Sequence, residues 1–412
     1  MLRDTLTWLR CPFCGTNLSL VNNKALEATE TKVTFGVLGC ECCAFPIVDG
    51  IPVLIANDAS REAIHALEAG NRDGARHILL NLDENRATEL SKQLSNNETP
   101  TYRELLPLLN EDAETEYFLY RFSDPTYRVS AATVQAVLAQ HEDTAPILDL
   151  CGGSGHLTHT LMKYRPSHQT VLADLHFWKL WLASRVVAPR AVPVCCDANN
   201  PLPFIDGLFS TILLSDAFPY IWNKRLSAGE MIRIANTDGV IIMPHLHNAR
   251  GENISAGDSL TPEAYSSLFE TKYPILFNDE DLFNDFLVHR HVDLTNPLLP
   301  SEIGTTASLT LIASQHRMSF QQTRAASAHR LDSELVVNPL YRVDYQKGRS
   351  CLNRQFPNEH YELEYTQSKR YLPEHIVVNG DLREQIDPAS LGEHLEQLLW
   401  QCVLIDVPKN YC

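Results

Sequence analysis

Five of the eleven cysteines crowd into the first 43 residues: Cys11, Cys14, Cys40, Cys42 and Cys43. Cys11 and Cys14 make one Cys-x-x-Cys turn and Cys40 and Cys43 make another, with 25 residues between the turns. Zinc takes four tetrahedral ligands, and two such turns supply four thiolates at suitable geometry. The spacing predicts a structural zinc on Cys11, Cys14, Cys40 and Cys43, with Cys42 as the alternative in the second turn. Four thiolates leave no open coordination position, so reactive chemistry is expected elsewhere.

A second constellation starts at the run ILDLCGGSGH, Ile147–His156. Asp149 stands at a strand end, and Cys151, Gly152, Gly153 and Gly155 follow it into a helix. Glycines let the backbone approach a ligand, and a helix N-terminus favours anionic groups. Asp174 ends the next strand, where a carboxylate suits a ribose diol. Asp197 and Ala198 follow a third strand, and Ser215-Asp216-Ala217 a fourth. Together these features predict a nucleotide-like cofactor. A nicotinamide site is disfavoured, because Thr158 stands where G-x-G-x-x-G needs its third glycine. The fifth strand runs into Pro244-His245-Leu246-His247-Asn248. His245 or His247 is the candidate base for an acceptor proton, since histidine titrates near neutral pH. The plainer reading, ordinary polar residues of a loop or substrate pocket, is preferred.

Positioning these groups requires elements that the patterning supplies. Residues 1–56 read as a small β-rich unit with strands at Asn17–Val21 and Lys32–Leu38. Its Asp49-Gly50 is a tight-turn signal between apolar runs. Residues 57–128 read as a helical connector, with helices at Arg61–Ala69, Arg76–Leu82 and Tyr102–Leu109 and a break at Asn96-Asn97. Tyr117, Tyr120 and Arg121, in the aromatic stretch Glu116–Arg128, could close over a cofactor, although such a stripe more often packs.

From residue 130 strands alternate with helices. The strands are Ile147–Leu150, Thr170–Ala173, Val192–Cys195, Thr211–Leu214 and Val240–Met243. The helices are Ala131–Gln140, His156–Tyr164, Phe177–Val186 and Ser227–Ala235. This alternation predicts an α/β fold with a parallel sheet covered on both faces. Phe286–Val292 and Ser308–Ala313 are candidates to close that sheet. Residues 320–412 are mixed, with a helix near Leu391–Leu399. Tyr361, Tyr365, Arg370 and Tyr371 there either shape a pocket or cover the sheet.

The chain's 412 residues call for two or three domains, and 44% hydrophobic with 21% charged residues is a globular composition. A formal charge of −17 argues against a general nucleic-acid binder. MLRDTLTWLRC is a poor signal peptide, and no stretch reaches the roughly 20 apolar residues of a membrane span. A cytoplasmic location with reduced cysteines is therefore expected, with no membrane contact.

CPFCG followed by FPIVDGIPVL resembles the Trm112-like zinc-ribbon family over residues 8–55. That resemblance implies a structural Zn2+ and a module able to engage a protein partner. DLCGGSG resembles the first motif of the class I S-adenosylmethionine-dependent methyltransferases, with Cys151 at the first glycine position. Asn199–Phe218 and Gly229–Met243 are similar to that family's fourth-strand and fifth-strand regions. The likeness spans about residues 130–315.

It implies a Rossmann-like, seven-stranded sheet. Asp149 and the Cys151–Gly155 loop would lie at the methionine moiety, Asp174 at the ribose, and Asp197 and Ala198 at the adenine. Ser215 belongs to the same cofactor edge. The expected organisation is a zinc ribbon (1–56), a helical connector or cap (57–128), the methyltransferase domain (129–318) and a C-terminal extension (319–412). The expected function is methylation of a small-molecule or natural-product-like acceptor. RNA methylation is the first alternative, because a family of ribosomal-RNA guanine methyltransferases also joins a zinc ribbon to this fold. Residues 1–56 are not basic, with Arg3, Arg10, Lys24 and Lys32 against five acidic residues. The second alternative is a non-catalytic scaffold that binds a partner.

Overall fold

A computed structural model describes residues 1–95, 99–110, 114–141, 143–253, 257–315, 320, 322–324, 333–383, 386, 391–392 and 394–412. The Asn96-Asn97 break and the 318/319 boundary lie outside them.

The N-terminal unit contains β1 (Ser19–Leu20), β2 (Glu27–Ala28), β3 (Val33–Gly39), β4 (Ala44–Val48) and β5 (Ile51–Pro52). They form an antiparallel sheet ordered β1-β3-β4-β5, with β2 on β3. Asp49 and Gly50 join β4 to β5 with φ of 51° and 81°, the left-handed pair of a two-residue hairpin turn. Phe45 and Ile47 are completely buried, in a core shared with the large sheet described below. Full burial of each contributes about 1.5–3 kcal/mol.

The next residues form α1 (Asp58–Glu68), α2 (Arg72–Leu79), α3 (Glu84–Ser95), α4 (Tyr102–Leu109) and α5 (Glu114–Tyr120). Asn57, Asn71 and Thr101 cap α1, α2 and α4 by accepting backbone N–H groups, and Thr101 with Glu104 makes a full capping box. Asp49 ties the hairpin turn to this layer. It accepts from Arg76 at 2.6 and 2.8 Å, and from the indole of Trp181 at 2.7 Å.

The following region runs α6 (Pro125–Leu138), β6 (Ile147–Leu150), α7 (His156–Tyr164), β7 (Thr170–Asp174), α8 (Phe177–Leu182), β8 (Val192–Cys195), β9 (Phe209–Leu213), α9 (Lys224–Ile234) and β10 (Ala235–His247). Then come α10 (Pro262–Leu268), β11 (Ile275–Asn278), α11 (Asp279–His289), β12 (His291–Val292) and β13 (Ser308–Ser314). Seven strands make one sheet in the order β8-β7-β6-β9-β10-β13-β11. Neighbours from β8 to β10 are parallel, while β13 runs antiparallel to both β10 and β11. This is a Rossmann-like α/β architecture with one reversed strand. The strand order reverses between β6 and β9, which opens a crevice at their C-terminal ends.

One sequence expectation is corrected. Phe286–Val292 is mostly helix, and the strand that completes the sheet is Ile275–Asn278. Asn278 caps α11 by accepting the Glu280 N–H, and Asp279, Glu280 and Asp281 fill its first turn. Those acidic residues favour a helix start through the helix dipole.

The N-terminal unit joins the β8 edge. Val53 bridges Cys195 in parallel, and Leu54 N–H donates to the Cys195 carbonyl at 2.8 Å. Leu9 pairs with Phe204 in the loop beyond β8.

The C-terminal residues contain β14 (Thr323–Arg324), β15 (Ser333–Val337), β16 (Tyr341–Gln346), β17 (Arg349–Arg354), α12 (Glu359–Glu364), β18 (His375–Asn379), α13 (His394–Trp400) and β19 (Leu404–Pro408). β15 pairs with β19, and β16-β17-β18 form a meander. Tyr361, Tyr365 and Tyr371 are buried, and the Tyr371 hydroxyl donates to the Ser123 carbonyl at 2.6 Å. Arg370 reaches Asn284 of α11 at 2.7 Å. No helix among the described residues is long and apolar enough to cross a membrane.

Candidate functional site

The turn after β6 needs left-handed backbone at three places: Cys151 (φ 57°), Gly153 (φ 58°) and Gly155 (φ 88°). Cys151 therefore adopts the conformation for which glycine is the default residue. Gly152 is required for a different reason, space. A Cβ there would lie 2.5 Å from a Leu172 methyl and 2.6 Å from the Asp149 carboxyl carbon. Asp149 is 1% exposed and accepts from the Thr158 hydroxyl at 2.6 Å. Burial pushes its pKa up to about 7, with the Asp174 charge adding to the rise and Thr158 and Arg121 opposing it. Thr158, which breaks the nicotinamide pattern, is thus the residue that holds Asp149. Burial also raises the Cys151 thiol well above its ordinary range, so it stays neutral.

Asp174 fixes the loop from the neighbouring strand. Its carboxylate accepts the Gly153 N–H and the His176 N–H, each at 2.9 Å. Asp197 accepts from Asn199 and Asn200 at 2.8–3.0 Å, which shapes the turn after β8, and Ala198 is buried beside it. Ser215, after β9, lies 3.5 Å from the Ser130 hydroxyl of α6.

Across the crevice, Asp216, His245 and His247 come together. A β-bulge between Met243 and Leu246 puts His245 in left-handed backbone with φ of 59°, and Asp216 has the same φ. The His247 Nε2 lies 3.5 Å from Asp216, and the His245 Nδ1 lies 3.3 Å from Asp279. Burial works against the charged forms here. Even so, Asp279 and Asp216 leave His245 raised, and His247, His245 and Arg121 leave Asp216 lowered. Asp279, at the first position of α11, had no signal in the motifs. The acidic helix start Asp279-Glu280-Asp281, which could have marked it, precedes the stretch Phe286–Val292 that the patterning reads as a strand.

The connector covers the crevice from above. Tyr117 reaches to 3.5 Å from Asp216, and Arg121 pairs with Asp124 at 2.9 Å and lies 3.9 Å from Asp216. The Phe118 ring stands 3.3 Å from where a Cβ on Gly153 would be. Tyr120, by contrast, packs against Tyr361 away from the loop. Two long-range contacts brace the glycine turn. The Tyr102 hydroxyl bonds Ser154 at 2.8 Å, and the His156 Nε2 bonds the Tyr411 hydroxyl at 2.8 Å. Burial holds the His156 pKa well below its ordinary value, so its ring is neutral.

A separate cluster lies in the N-terminal unit. The sulfurs of Cys11, Cys14, Cys40 and Cys42 all fall within 4.8 Å of one another. The Cys11–Cys42, Cys14–Cys40 and Cys40–Cys42 separations are 3.8, 3.7 and 3.7 Å. A tetrahedron with Zn–S bonds of about 2.3 Å has edges of about 3.8 Å, so these residues fit zinc. The fourth member is Cys42, where the spacing placed Cys43. Cys43 packs against the hydrophobic core beneath β4, whereas Cys42 sits at the exposed tip of the turn. The N–H groups of Cys42 and Cys43 both donate to the Cys40 sulfur, at 3.4 and 3.2 Å.

No family model and no curated protein matches the chain. Solved structures do. An S-adenosylmethionine-dependent methyltransferase from Aquifex aeolicus is 12% identical, with a TM-score of 0.33 over 48% of this chain and 97% of that one. A complex of the Haloferax volcanii Trm112 methyltransferase activator with a methyltransferase gives 14% identity and a TM-score of 0.35, over 50% of this chain and 98% of that one. A geranyl diphosphate methyltransferase bound to GPP and sinefungin gives 12% identity and a TM-score of 0.35, over 46% of this chain and 80% of that one. The architecture itself rests on the strand order and on the reversed β13.

Proposed function

We propose that this chain is an S-adenosylmethionine-dependent methyltransferase acting on a small-molecule acceptor. The observation that carries the reading is the glycine turn at the crevice of the reversed-strand sheet, where Asp149 and Asp174 converge. Gly152 lets the backbone of the turn pack directly on Asp149 and Leu172, which sets the position of its N–H groups. Asp149 and residues 151–155 would hold the methionine portion of the cofactor, and Asp174 would accept from the ribose hydroxyls. Asp197 and Ala198 would flank the adenine, and Ser215 would line the same edge. The bound cofactor supplies an electrophilic sulfonium methyl group.

In-line transfer depends on alignment and on exclusion of water. Tyr117 and Phe118 cover the crevice, and Tyr102 and Tyr411 hold the glycine turn from outside. Asp216, His245 and His247 line the acceptor side. The cover that Tyr117, Phe118 and Arg121 place over the crevice favours a small acceptor, as does the charge of −17. Residues 1–56 serve as a structural zinc ribbon that braces the β8 edge.

Calorimetric titration of the zinc-loaded full chain with S-adenosylmethionine tests the first step, and saturable one-to-one binding is expected. Labelled methyl donor, incubated with metabolite and RNA fractions, tests the second. Label is expected among small molecules. Absence of cofactor binding overturns the methyltransferase reading, and label confined to RNA overturns the small-molecule acceptor.

A further inference from the structure

We propose that Asp216, His245 and His247 bind a divalent first-row transition-metal ion across the crevice from the glycine turn. One ligand atom from each residue lies within 4.8 Å of the other two. Two imidazoles and one carboxylate suit such ions, and three protein ligands leave coordination positions open. The thiolate cluster, by contrast, is closed.

The second observation is an unsatisfied buried imidazole. His247 is 2% exposed, and its Nδ1 has no hydrogen-bond partner among the described residues. Its Nε2 finds only Asp216, at 3.5 Å, too long for a good hydrogen bond. A cation held between the His247 Nε2 and Asp216 would replace this long contact with two metal–ligand bonds.

The outer contacts are arranged in the same sense. The Thr310 hydroxyl donates to Asp279 at 2.7 Å, and Asp279 faces the His245 Nδ1, leaving the other ring nitrogen for a metal. A carboxylate behind the histidine is the usual support of a metal-bound imidazole. The two oxygens of Asp216 are divided. Oδ1 faces His247, while Oδ2 faces Tyr117 and Arg121. Arg121 sits close enough to compete with a cation, but Asp124 at 2.9 Å neutralises it.

The open positions suit an oxygen donor such as an acceptor hydroxyl. That part rests on the methyl-transfer reading, whereas metal binding does not. With a cation bound, His245 and His247 are ligands rather than bases.

Cobalt(II) titration of the metal-stripped full chain tests the site. The thiolate cluster gives intense sulfur-to-metal charge transfer, whereas a nitrogen–oxygen site gives only weak d–d bands. We expect both signatures in the wild type. His245→Gln and Asp216→Asn should each weaken the weak-band site by about tenfold or more, and Asp279→Asn by roughly tenfold, with the thiolate bands unchanged. The unchanged thiolate bands, with an unaltered melting temperature, show that each variant folds. Cobalt confined to the thiolates, or equal affinity in well-folded variants, overturns the site. Cofactor binding without the second metal removes this proposal alone. Metal binding without cofactor keeps the site and removes its acceptor-side meaning.

Discussion

Asp149→Asn separates the charge of the buried carboxylate from its shape. The folded chain holds this proton to about pH 7, against an ordinary value of 3.8. Between those values folding takes up a proton. The group's contribution to stability is therefore full below pH 3.8, shrinks as pH rises and is gone above about pH 7. A displacement of that size is worth about 4 kcal/mol, at roughly 1.4 kcal/mol per pH unit. About 3 kcal/mol of it falls above pH 5. Asparagine keeps the hydrogen bond with Thr158 and cannot ionise. The assay is denaturant unfolding of the cofactor-free protein from pH 5 to 8.5, for wild type and variant in parallel. Titration of the cysteines is common to both and cancels in the difference. The variant's relative stability should rise by about 2–3 kcal/mol between pH 5 and 7 and then level off. A difference that is flat across this range would refute the argument that burial holds the proton on Asp149.

Other outcomes follow from single contacts. Cys42→Ser should lose the zinc and Cys43→Ser should keep it, as read by metal content after gel filtration. Gly152→Ala should weaken cofactor binding in calorimetry by about tenfold or more, because its Cβ meets Leu172 and Asp149 at 2.5 and 2.6 Å and must displace the Asp149 carboxyl from the turn. Asp49→Ala leaves Arg76 and the Trp181 indole without their shared acceptor. It should cost about 3 kcal/mol in unfolding experiments and expose the 1–56 unit to protease. Tyr411→Phe should cost about 1–3 kcal/mol, since it leaves the buried His156 Nε2 unpaired, and should weaken cofactor binding by loosening the glycine turn.

Much of the seven-stranded region is legible in the sequence because its signals are local. Strand periodicity, glycines before a helix and acids at strand ends depend only on nearby residues, so β6 to β10 fall close to where the patterning puts them. β11 is not legible. A four-residue apolar segment beside the helix-like run LFNDFLVH does not reveal which of the two enters the sheet. The capping of α11 by Asn278 decides it. In the second cysteine turn, the spacing favours Cys43 with Cys42 as the alternative, whereas Cys42 is the one whose sulfur joins the cluster. Packing against the core beneath β4 separates them.

The sequence by itself determines the kind of sheet, the turn after Ile147–Leu150 and the presence of a thiolate cluster. These follow from the 3.6- and 2-residue periods and from the backbone demands of glycine. Only the tertiary structure decides which distant groups meet. Asp216, His245, His247 and Asp279 converge because β9 and β10 end, and α11 begins, at one edge of the sheet. Tyr102 and Tyr411 reach the glycine turn because the connector and the tail fold over the same face. No local pattern encodes these contacts, since each arises from the packing of elements tens to hundreds of residues apart.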